Sequence, residues 1–381
     1  MNFPRKITIV CHEASLTGAP ILLLHLLKMI KEIHSITFLI IIIRDGPLSV
    51  EFSSIGKTII LKNKNYGKEK YAYKRLVPLI RSRILLISAF IKSINCDLIL
   101  SNTITTGSVI SILNILNKPT AVYVHELVSV LKFPNPEKHI SPLVNNRFLY
   151  LYPSKAVKLF LETELNLSGS KMLQLDYYMP DTDISSVELT KNSAQLENTN
   201  KTIRVCGMGV ASQRKGTDIF IKAASLATMK NPNIKFQWIG GFETYEQKQS
   251  YKQMVLELKL DTAFHFTGQL TPNKAQQELS KNDVLFLSSR EDPYPLVVLE
   301  AAKFSIPAIV FAEGGGITDF VNTKNGWVVE GISDESAAST LINLEINAIK
   351  EKGKQAENDY RRKHADKKNI MKQFESIFDA L

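Results

Sequence analysis

The sequence predicts an α/β protein built from two doubly wound domains, each with a parallel sheet lying between helices. Three observations support this fold class. Short apolar runs alternate with helical patterns along nearly the whole chain. A polar tract at 185–201 interrupts that alternation. The length of 381 residues also exceeds what one ordinary core organises. Nearly continuous apolar strands are typical of parallel sheets covered by helices on both faces.

The first domain is expected over residues 1–185. Its strands are predicted at 7–11, 36–43, 58–61, 97–100, 121–124 and 148–152. Its helices are predicted at 19–31, 71–94, 107–116 and 155–165. Pro20 suits the first turn of the first helix, and Ser154 can cap the last one.

A linker rich in Ser, Thr and Asn is expected at 186–201, followed by a second domain at 202–355. Its strands are predicted at 203–206, 234–239, 263–266, 284–287, 308–311 and 327–329. Its helices are predicted at 217–229, 244–258, 273–279, 296–303 and 336–349. Apolar residues at helical spacing predict an amphipathic C-terminal helix within 356–381. Two such domains in tandem are expected to face across a cleft at the carboxyl ends of the strands, where ligands of open α/β sheets bind.

Composition excludes several classes of protein. Hydrophobic residues make up 44% of the chain, so it is not globally disordered. The three cysteines suit neither a disulfide framework nor a zinc motif, and Cys11 and Cys206 lie in apolar runs that predict buried thiols. No signal peptide is visible, and the apolar run 36–43 is too short to span a membrane. A cytoplasmic protein is expected, with association at the inner face of the membrane left open.

The positive charge is concentrated in the first domain. The net charge is +10, and residues 1–185 hold 22 Lys and Arg against 13 Asp and Glu. The excess peaks at 62–92, where nine basic residues accompany Glu69 alone. Such a stretch fits contact with an anionic membrane or an anionic substrate, and an ordinary solvated surface explains it equally well. No nucleic-acid-binding module is recognisable, so a nucleic-acid partner is not expected.

The segment 290–300 is the most informative stretch for chemistry. A buried strand ends just before it, and a helix is expected to begin with Pro295 as its first residue. The free amides of that first turn, together with the helix dipole, form an anion site. Glu300 lies inside an otherwise apolar helix, where a carboxylate is costly to bury without partners. Sugar hydroxyls are suitable partners, and a surface glutamate is the alternative interpretation.

The loop after the predicted strand 203–206 is a second candidate. Arg214 and Lys215 there can face a diphosphate, Arg through two parallel hydrogen bonds and Lys as a point charge. The pattern alone also fits a dinucleotide site, but Ser212 occupies the third glycine place of Gly-x-Gly-x-x-Gly. Glycines that permit tight turns lie at Gly207, Gly209 and Gly216.

Two loops of the first domain are further candidates. Gly18 follows the first strand and lets the backbone approach a phosphate or a sugar. His125 ends another predicted strand, where a lone histidine is more often structural, and Asn102 and Thr103 form a weaker candidate. His12 and Glu13 lack the second histidine of His-Glu-x-x-His, so neither a protein metal site nor a cofactor is expected.

The sequence resembles the retaining glycosyltransferases of the GT-B fold, family 4 type (glycosyl transferases group 1). The motifs that carry the resemblance are Asp292-x7-Glu300, the following Ala301 and Ala302, and the later run 314–319. The resemblance extends along most of the chain and implies GT-B architecture, with the C-terminal helix returning to the first domain. It implies that Glu300 bonds the nucleotide ribose and that Asp292 with adjoining amides holds the transferred sugar. It also assigns Lys215 to the diphosphate.

The resemblance places His125 against the donor sugar and the Gly18 loop beside donor and acceptor. Two positions depart from the family: Asp292 stands where Glu is usual, and Val210 where Arg is common, so Arg214 is expected to supply the second cation. The catalytic residues implied are His125, Asp292, Arg214 and Lys215. The donor-binding residues implied are Gly18, Gly209, Arg214, Lys215, Arg290, Asp292, Tyr294, Leu296 and Glu300.

The expected activity is retaining transfer of a sugar from a nucleotide-diphosphate sugar to a glycan or lipid-linked acceptor, in surface polysaccharide biosynthesis. A peripheral contact of the basic first domain with an anionic membrane would fit a lipid-carried acceptor. Cations and a helix N-terminus can stabilise the leaving diphosphate without a metal ion. Two alternatives stay open: a nucleotide-sugar epimerase of similar form, and a non-catalytic nucleotide-sugar-binding partner in a biosynthetic complex.

Overall fold

The computed structural model describes residues 5–63, 72–180 and 202–381, with side chains from residue 77 onward in the second range. The described residues form two compact units. The first lies within 1–180 together with 366–381, and the second lies within 181–365. The expected linker at 186–201, the boundary at 185 and the side chains of Lys64, Lys68, Lys70, Lys74 and Arg75 lie outside the described residues.

The first unit contains a seven-stranded parallel sheet with the order β3-β2-β1-β4-β5-β6-β7. Its strands are β1 (Lys6–Glu13), β2 (Thr37–Arg44), β3 (Lys57–Lys62), β4 (Leu98–Asn102), β5 (Thr120–Tyr123), β6 (Leu149–Tyr152) and β7 (Met172–Gln174). Its helices are α1 (Gly18–Ile33), α2 (Ser49–Ile55), α3 (Ala72–Ser93), α4 (Gly107–Leu113), α5 (Pro136–His139) and α6 (Lys155–Thr163).

The second unit contains a six-stranded parallel sheet with the order β10-β9-β8-β11-β12-β13. Its strands are β8 (Ile203–Met208), β9 (Ile234–Ile239), β10 (Phe264–Gly268), β11 (Val284–Leu287), β12 (Ala308–Phe311) and β13 (Gly326–Val329). Its helices are α7 (Thr217–Lys230), α8 (Tyr245–Glu257), α9 (Pro272–Ser280), α10 (Leu296–Lys303), α11 (Asp334–Ile342) and α12 (Ile346–Tyr360). The predicted pair of doubly wound α/β domains is therefore confirmed.

Most elements lie where the apolar periodicity predicts them, but four differ. The sequence patterns missed the short helices α2 and α5 and the edge strand β7. The single helix predicted at 336–349 is wrong, because α11 ends at Ile342 and α12 begins at Ile346. The break has a packing cause: α11 packs against α7, whereas α12 packs against α10. One straight helix could not pack against both α7 and α10.

The C-terminal helix α13 (Lys367–Ala380) belongs to the first unit, as the resemblance implied. Its apolar face is buried through Ile370, Met371, Phe374 and Ile377. Asp176 and Gln373 exchange two hydrogen bonds, in which the Asp176 amide donates to Oε1 at 2.8 Å and Gln373 Nε2 donates to Asp176 Oδ2 at 3.0 Å. These contacts fix the last helix on the first unit, although it follows the second unit in the chain.

The cysteines are structural. Cys11, Cys96 and Cys206 are all buried and unbridged, which confirms the prediction for Cys11 and Cys206. Burial raises the pKa of the Cys11 thiol to about 12, so it stays protonated and unreactive at neutral pH. Within the described part of the chain, no helix is both long enough and apolar enough to cross a membrane.

Candidate functional site

The loops at the carboxyl ends of β8 and β11 bring together the two cations and the carboxylate that the sequence singled out. Lys215 Nζ lies 2.5 Å from Asp292 Oδ2. Arg214 Nη1 lies 3.9 Å from the same oxygen and donates to the Glu291 carbonyl at 2.8 Å. Asp292 is buried and Lys215 is partly buried, whereas about half of the Arg214 side chain is exposed (48%). Positive charge therefore concentrates at the edge of the second sheet.

Gly216 allows the Lys215 loop to approach the end of β11. Its φ of +66° lies in the left-handed region, and a Cβ at this position would stand 1.8 Å from the Ser288 carbonyl oxygen. Only glycine meets both conditions. Ser288 Oγ donates to the Lys215 carbonyl at 3.0 Å across the same contact. Gly209, another of the predicted glycines, has a φ of +132° and donates its N–H to the Ile239 carbonyl at 2.9 Å.

The glycine run after β12 holds the backbone of Asp292. The Asp292 N–H donates to the Gly314 carbonyl at 2.8 Å, and the Asp292 carbonyl accepts from the Gly316 N–H at 3.1 Å. Gly315 between them has a φ of +127°, and a Cβ there would stand 1.9 Å from the Asp292 carbonyl oxygen. The run 314–316 therefore acts as a backbone support that orients the Asp292 carboxylate.

Arg290, which the resemblance places among the donor-binding residues, is engaged with Asp218 at the start of α7. Its Nη1 and Nη2 donate to the two carboxylate oxygens of Asp218 at 2.8 and 2.6 Å, and Nη1 also donates to the Gln213 carbonyl at 2.6 Å. Burial acts to raise the pKa of Asp218, but the hydrogen bonds and charge of Arg290 hold that pKa below its ordinary value. This pair ties the β8 loop to the β11 loop, and the sequence reading missed Asp218.

Helix α10 (Leu296–Lys303) coincides with the helix predicted at 296–303, but the place expected for Pro295 within it differs. Leu296 is its first residue and Pro295 its cap, with φ −68° and ψ 119°, so the expectation of Pro295 as the first helical residue is wrong. The residue before the helix therefore has no N–H, and the amides of Leu296 and Val297 are the first that the helix presents. The Val298 amide donates to the Pro295 carbonyl at 3.2 Å. The Leu296 and Val297 amides therefore form the anion site together with the helix dipole.

Glu300 lies in the second turn of α10 and is half-buried. Burial raises the pKa of its carboxyl, while the Lys303 charge and a hydrogen bond with the Gln276 side chain oppose that rise. Gln276 belongs to α9, so a neighbouring helix supplies the polar partner that a carboxylate in an apolar helix requires. The sequence reading expected such a partner but did not identify Gln276.

Tyr294 and Ser289 lie on either side of Asp292 in sequence. Tyr294 is buried, and its hydroxyl lies 3.0 Å from Nε2 of the buried His364. Ser289 is 1% exposed, and its Oγ has no hydrogen-bond partner among the described residues. Leu296, another residue implied to bind the donor, is half-buried at the start of α10.

A cavity of about 500 Å³ opens at the carboxyl ends of β9 and β10 in the same unit. Two aromatic side chains, Phe242 and Phe266, pack together in its wall with their ring centroids 5.1 Å apart. Lys248, Lys252 and Gln269 add polar groups to the lining. The loop between β8 and α7 reaches this wall, because Ala211 donates its N–H to the Gly241 carbonyl at 2.8 Å.

The first unit holds His125 between two fixed partners. Asn102 Nδ2 donates to the Ala19 carbonyl at 3.2 Å, which leaves Oδ1 to accept from His125 Nε2 at 2.8 Å. His125 Nδ1 lies 3.0 Å from the Tyr177 hydroxyl and accepts from it in that tautomer. Burial, with a smaller contribution from the charge of His12, lowers the pKa of His125 to about 3, so the ring is neutral at physiological pH.

The Gly18 loop adjoins this histidine. Gly18 is the first residue of α1, and its cap residue Thr17 has extended backbone. Before it, Ser15 Oγ donates to Glu13 Oε1 at 2.5 Å. His12 Nε2 lies 3.6 Å from Glu13 Oε1, and His12 is the main cause of the lowering of the Glu13 pKa to about 2, with Ser15 contributing and burial opposing the shift. The residues predicted from the ends of β1, β4 and β5 therefore do come together at one edge of the first sheet.

Comparison with known proteins agrees with this architecture. Residues 189–365 match the family described as glycosyl transferases group 1, so the predicted resemblance is confirmed. The structure is similar to HepE of Anabaena, solved in complex with UDP and glucose, at 18% identity and a TM-score of 0.76 over 99% of this chain and 100% of that one. It is similar to sucrose-phosphate synthase of Thermosynechococcus elongatus at 17% identity and a TM-score of 0.75 over the same shares. These likenesses confirm the GT-B fold.

Curated relatives match shorter stretches. The alpha-galactosylglucosyldiacylglycerol synthase of Streptococcus pneumoniae is 29% identical over 108 residues, which are 28% of this chain and 28% of that protein. The mannosylfructose-phosphate synthase of Agrobacterium fabrum is 24% identical over 116 residues, which are 29% and 26% of the two chains. The chain therefore spans about a quarter of the length of these relatives.

Proposed function

We propose that this chain, in which residues 189–365 match glycosyl transferases group 1, is a retaining glycosyltransferase that moves a sugar from a nucleotide-diphosphate sugar to a glycan or lipid-linked acceptor. The observation that carries the proposal is the ion pair between Lys215 and Asp292, with Arg214 beside it, at the carboxyl edge of the second sheet. Ligands of open α/β sheets bind at this edge.

The two cations suit the diphosphate. A lysine ammonium has three N–H donors, and Asp292 occupies one of those of Lys215, which leaves two for phosphate oxygens. When the bond to the sugar breaks, negative charge develops on the leaving phosphate oxygen. Donors already aimed at that charge lower the barrier because they need no reorganisation at the moment of reaction. Lys215 and Arg214 fill that role, together with the N-terminus of α10.

The remaining parts of the donor have candidate partners in the same unit. The Glu300 carboxylate can accept from ribose hydroxyls, a role that the family resemblance also implies. Asp292 is held by the glycine run and can accept from hydroxyls of the transferred sugar. The aromatic cavity of about 500 Å³ beside the β8 loop offers a place for the base.

The reaction breaks the bond between the anomeric carbon and the diphosphate oxygen and forms a bond from that carbon to the acceptor oxygen. Asp292 is already paired with Lys215, which favours sugar positioning over attack on the anomeric carbon. We therefore propose front-face displacement, in which the leaving phosphate oxygen takes the proton of the acceptor hydroxyl. This route retains the anomeric configuration. His125 is neutral with both ring nitrogens engaged, which favours a positioning role for it.

We assign the acceptor to the first unit, because the basic excess of the chain lies in residues 1–185, most of which belong to that unit. An acceptor carried on an anionic lipid, as in surface polysaccharide assembly at the inner face of the membrane, would be attracted by that charge. The peripheral membrane contact expected from the sequence belongs to the same proposal.

The test is a transfer assay with nucleotide sugars and a panel of glycan and lipid-linked acceptors, with the product anomer read by NMR. We expect acceptor-dependent release of nucleoside diphosphate and a product with the donor's configuration. Lys215→Ala should lower turnover by about 100- to 1,000-fold, whereas Lys222→Ala, an exposed lysine on α7, should not. An inverted product would refute the retaining mechanism. Donor conversion without any acceptor would favour an epimerase, and donor binding without turnover would favour a non-catalytic partner.

A further inference from the structure

Helix α3 carries an exposed stripe of branched apolar side chains that the proposed donor site does not use. Six Val and Ile residues are spaced three or four positions apart along this helix, and the last of them is the residue directly after it. Their side chains are between 45% and 67% exposed. We call these residues the isoleucine stripe: Val77, Ile80, Ile84, Ile87, Ile91 and Ile94. Such spacing places all six on one face of a helix.

The opposite face of α3 packs against the core of the first unit. Ala89 is buried in the core of the first unit, and Leu85, Leu86 and Phe90 pack partly against that core. The stripe is therefore a second apolar face on a helix whose first apolar face fills the core. Single exposed apolar residues are normal on a protein surface, but a contiguous exposed apolar patch of this kind marks an interaction surface.

An apolar groove widens the stripe at its middle. A cavity of about 400 Å³ lies between α3 and the region of α4, lined by Leu86, Ile87, Phe90, Ile112 and Ile115, and Arg83 is the one charged residue among the described residues of its lining. Ile115 is 74% exposed beside it. A hydrocarbon-lined groove with a guanidinium group in its lining matches an amphiphile that has a negatively charged head.

The charges along α3 are all of one sign. Arg81 and Arg83 are exposed beside the stripe, and Lys92 Nζ donates to Ser88 Oγ at 2.6 Å. The sequence contains no Asp or Glu between Glu69 and Asp97. An anionic surface complements this face. A second copy of the chain does not, because it would oppose one basic domain with another.

We propose that helix α3 and the groove beside it are the membrane-docking face of the protein, and that its occupant is the surface of an anionic bilayer. The isoleucine stripe lies in the boundary between headgroups and acyl chains, and Arg81, Arg83 and Lys92 contact lipid phosphates. This inference rests on the proposed function, because membrane contact serves a transferase whose acceptor is carried on a lipid. It places the contact on an apolar helix face in addition to the basic charge.

The test uses the full chain and vesicle flotation, with vesicles of phosphatidylcholine alone or mixed with phosphatidylglycerol. The wild type should float with the anionic vesicles and not with the neutral ones. Ile84→Ser/Ile87→Ser/Ile91→Ser should lose binding on the order of tenfold or more, because the apolar contact is removed. Arg81→Gln/Arg83→Gln should lose the preference for anionic lipid. The matched control is Val50→Ser/Leu159→Ser, two residues of the same unit that are 79% and 59% exposed, and it should bind as the wild type does.

Unchanged anionic-vesicle binding by the stripe variant would overturn the inference, as would a wild type that ignores anionic vesicles. So would a wild-type dimer that the stripe substitutions convert to a monomer without affecting vesicle binding, since the stripe would then be a self-association surface. Stabilisation by nucleotide sugars, measured on the same preparations, is independent of vesicles. If no nucleotide sugar stabilises the wild type, the proposed function is rejected. If a nucleotide sugar stabilises it but the wild type does not bind vesicles, only the docking face is rejected.

Discussion

Lys215 Nζ lies 2.5 Å from Asp292 Oδ2, although the two residues are 77 positions apart in the sequence. The contact joins the loop after β8 to the loop after β11, the two segments that the family resemblance assigns to the diphosphate and to the sugar. Because Asp292 is buried, this carboxylate has little water to solvate it and depends on Lys215. The pair therefore links the stability of the second unit to the proposed chemistry.

The first prediction concerns Asp292. Replacing it with Asn removes the charge that faces Lys215, and we expect a loss of about 1–3 kcal/mol in unfolding free energy together with a fall in transfer rate. Chemical denaturation followed by tryptophan fluorescence measures the first effect. Asp261→Asn changes an exposed carboxylate of the same unit and should leave both quantities unchanged. Wild-type stability and rate in Asp292→Asn would contradict the role of the pair.

The second prediction concerns Arg290 and Asp218. If their forked ion pair connects the two loops, Arg290→Ala and Asp218→Ala should cause similar losses, and the double variant should lose little more. Both side chains are partly exposed, so solvent screening limits the expected coupling to about 0.5–1 kcal/mol. A double-mutant cycle on unfolding free energy measures that coupling. Strictly additive losses would show that the two residues act independently.

The third prediction concerns the glycine run. In Gly315→Ala the new Cβ would collide with the Asp292 carbonyl, so the variant should lose both stability and donor affinity. Gly331→Ala is the matched control, since Gly331 has a φ of +76° but no atom within 4 Å of the added carbon. It should show only the cost of the left-handed backbone, about 1 kcal/mol. Equal donor affinities in the two variants would exclude a support role for Gly315.

The fourth prediction concerns the pH dependence caused by His125. The folded protein keeps this ring unprotonated down to about pH 3, whereas the unfolded chain takes up a proton near the ordinary value of 6.5. The unfolded state therefore binds more protons between these values. The contribution of His125 to stability is present above about pH 6.5 and declines as the pH falls toward 3.

The check compares the wild type with His125→Gln in denaturation series across that pH window. The difference in unfolding free energy between the two proteins should shrink as the pH falls, because only the wild type carries the buried imidazole. A difference that stays constant with pH would mean that His125 titrates equally in the folded and unfolded chains.

The fold could be predicted largely from the sequence because buried parallel strands leave a local signal. The predictions for 234–239, 284–287 and 308–311 coincide with the observed strands β9, β11 and β12. The break between α11 and α12 could not be predicted in this way, because tertiary packing against two different helices causes it. The edge strand β7 has only three residues and gives no periodic pattern.

The site was predictable where the parallel order of the strands brings the loops after them together at one edge of the sheet. Lys215 and Asp292 both follow neighbouring parallel strands, so their loops meet at one edge of the sheet. The partners of Arg290 and Glu300 were not predictable, since Asp218 and Gln276 lie on other helices and belong to no motif. The hydrogen-bond partners of His125 are Asn102 and Tyr177, which are distant in sequence, and its neutral state depends on burial, which tertiary packing decides.

Binding of a nucleotide sugar through Lys215 and Glu300 is tested by a thermal-shift screen of the full chain against UDP-, GDP- and ADP-sugars, with Lys215→Ala, Glu300→Ala and the control Lys222→Ala in parallel. We expect that one nucleotide sugar stabilises the wild type and the control, by about 2.7 kcal/mol at 100 times its dissociation constant, and that both site variants lose most of this gain. Equal stabilisation of all four proteins, or of none by any nucleotide sugar, would contradict it.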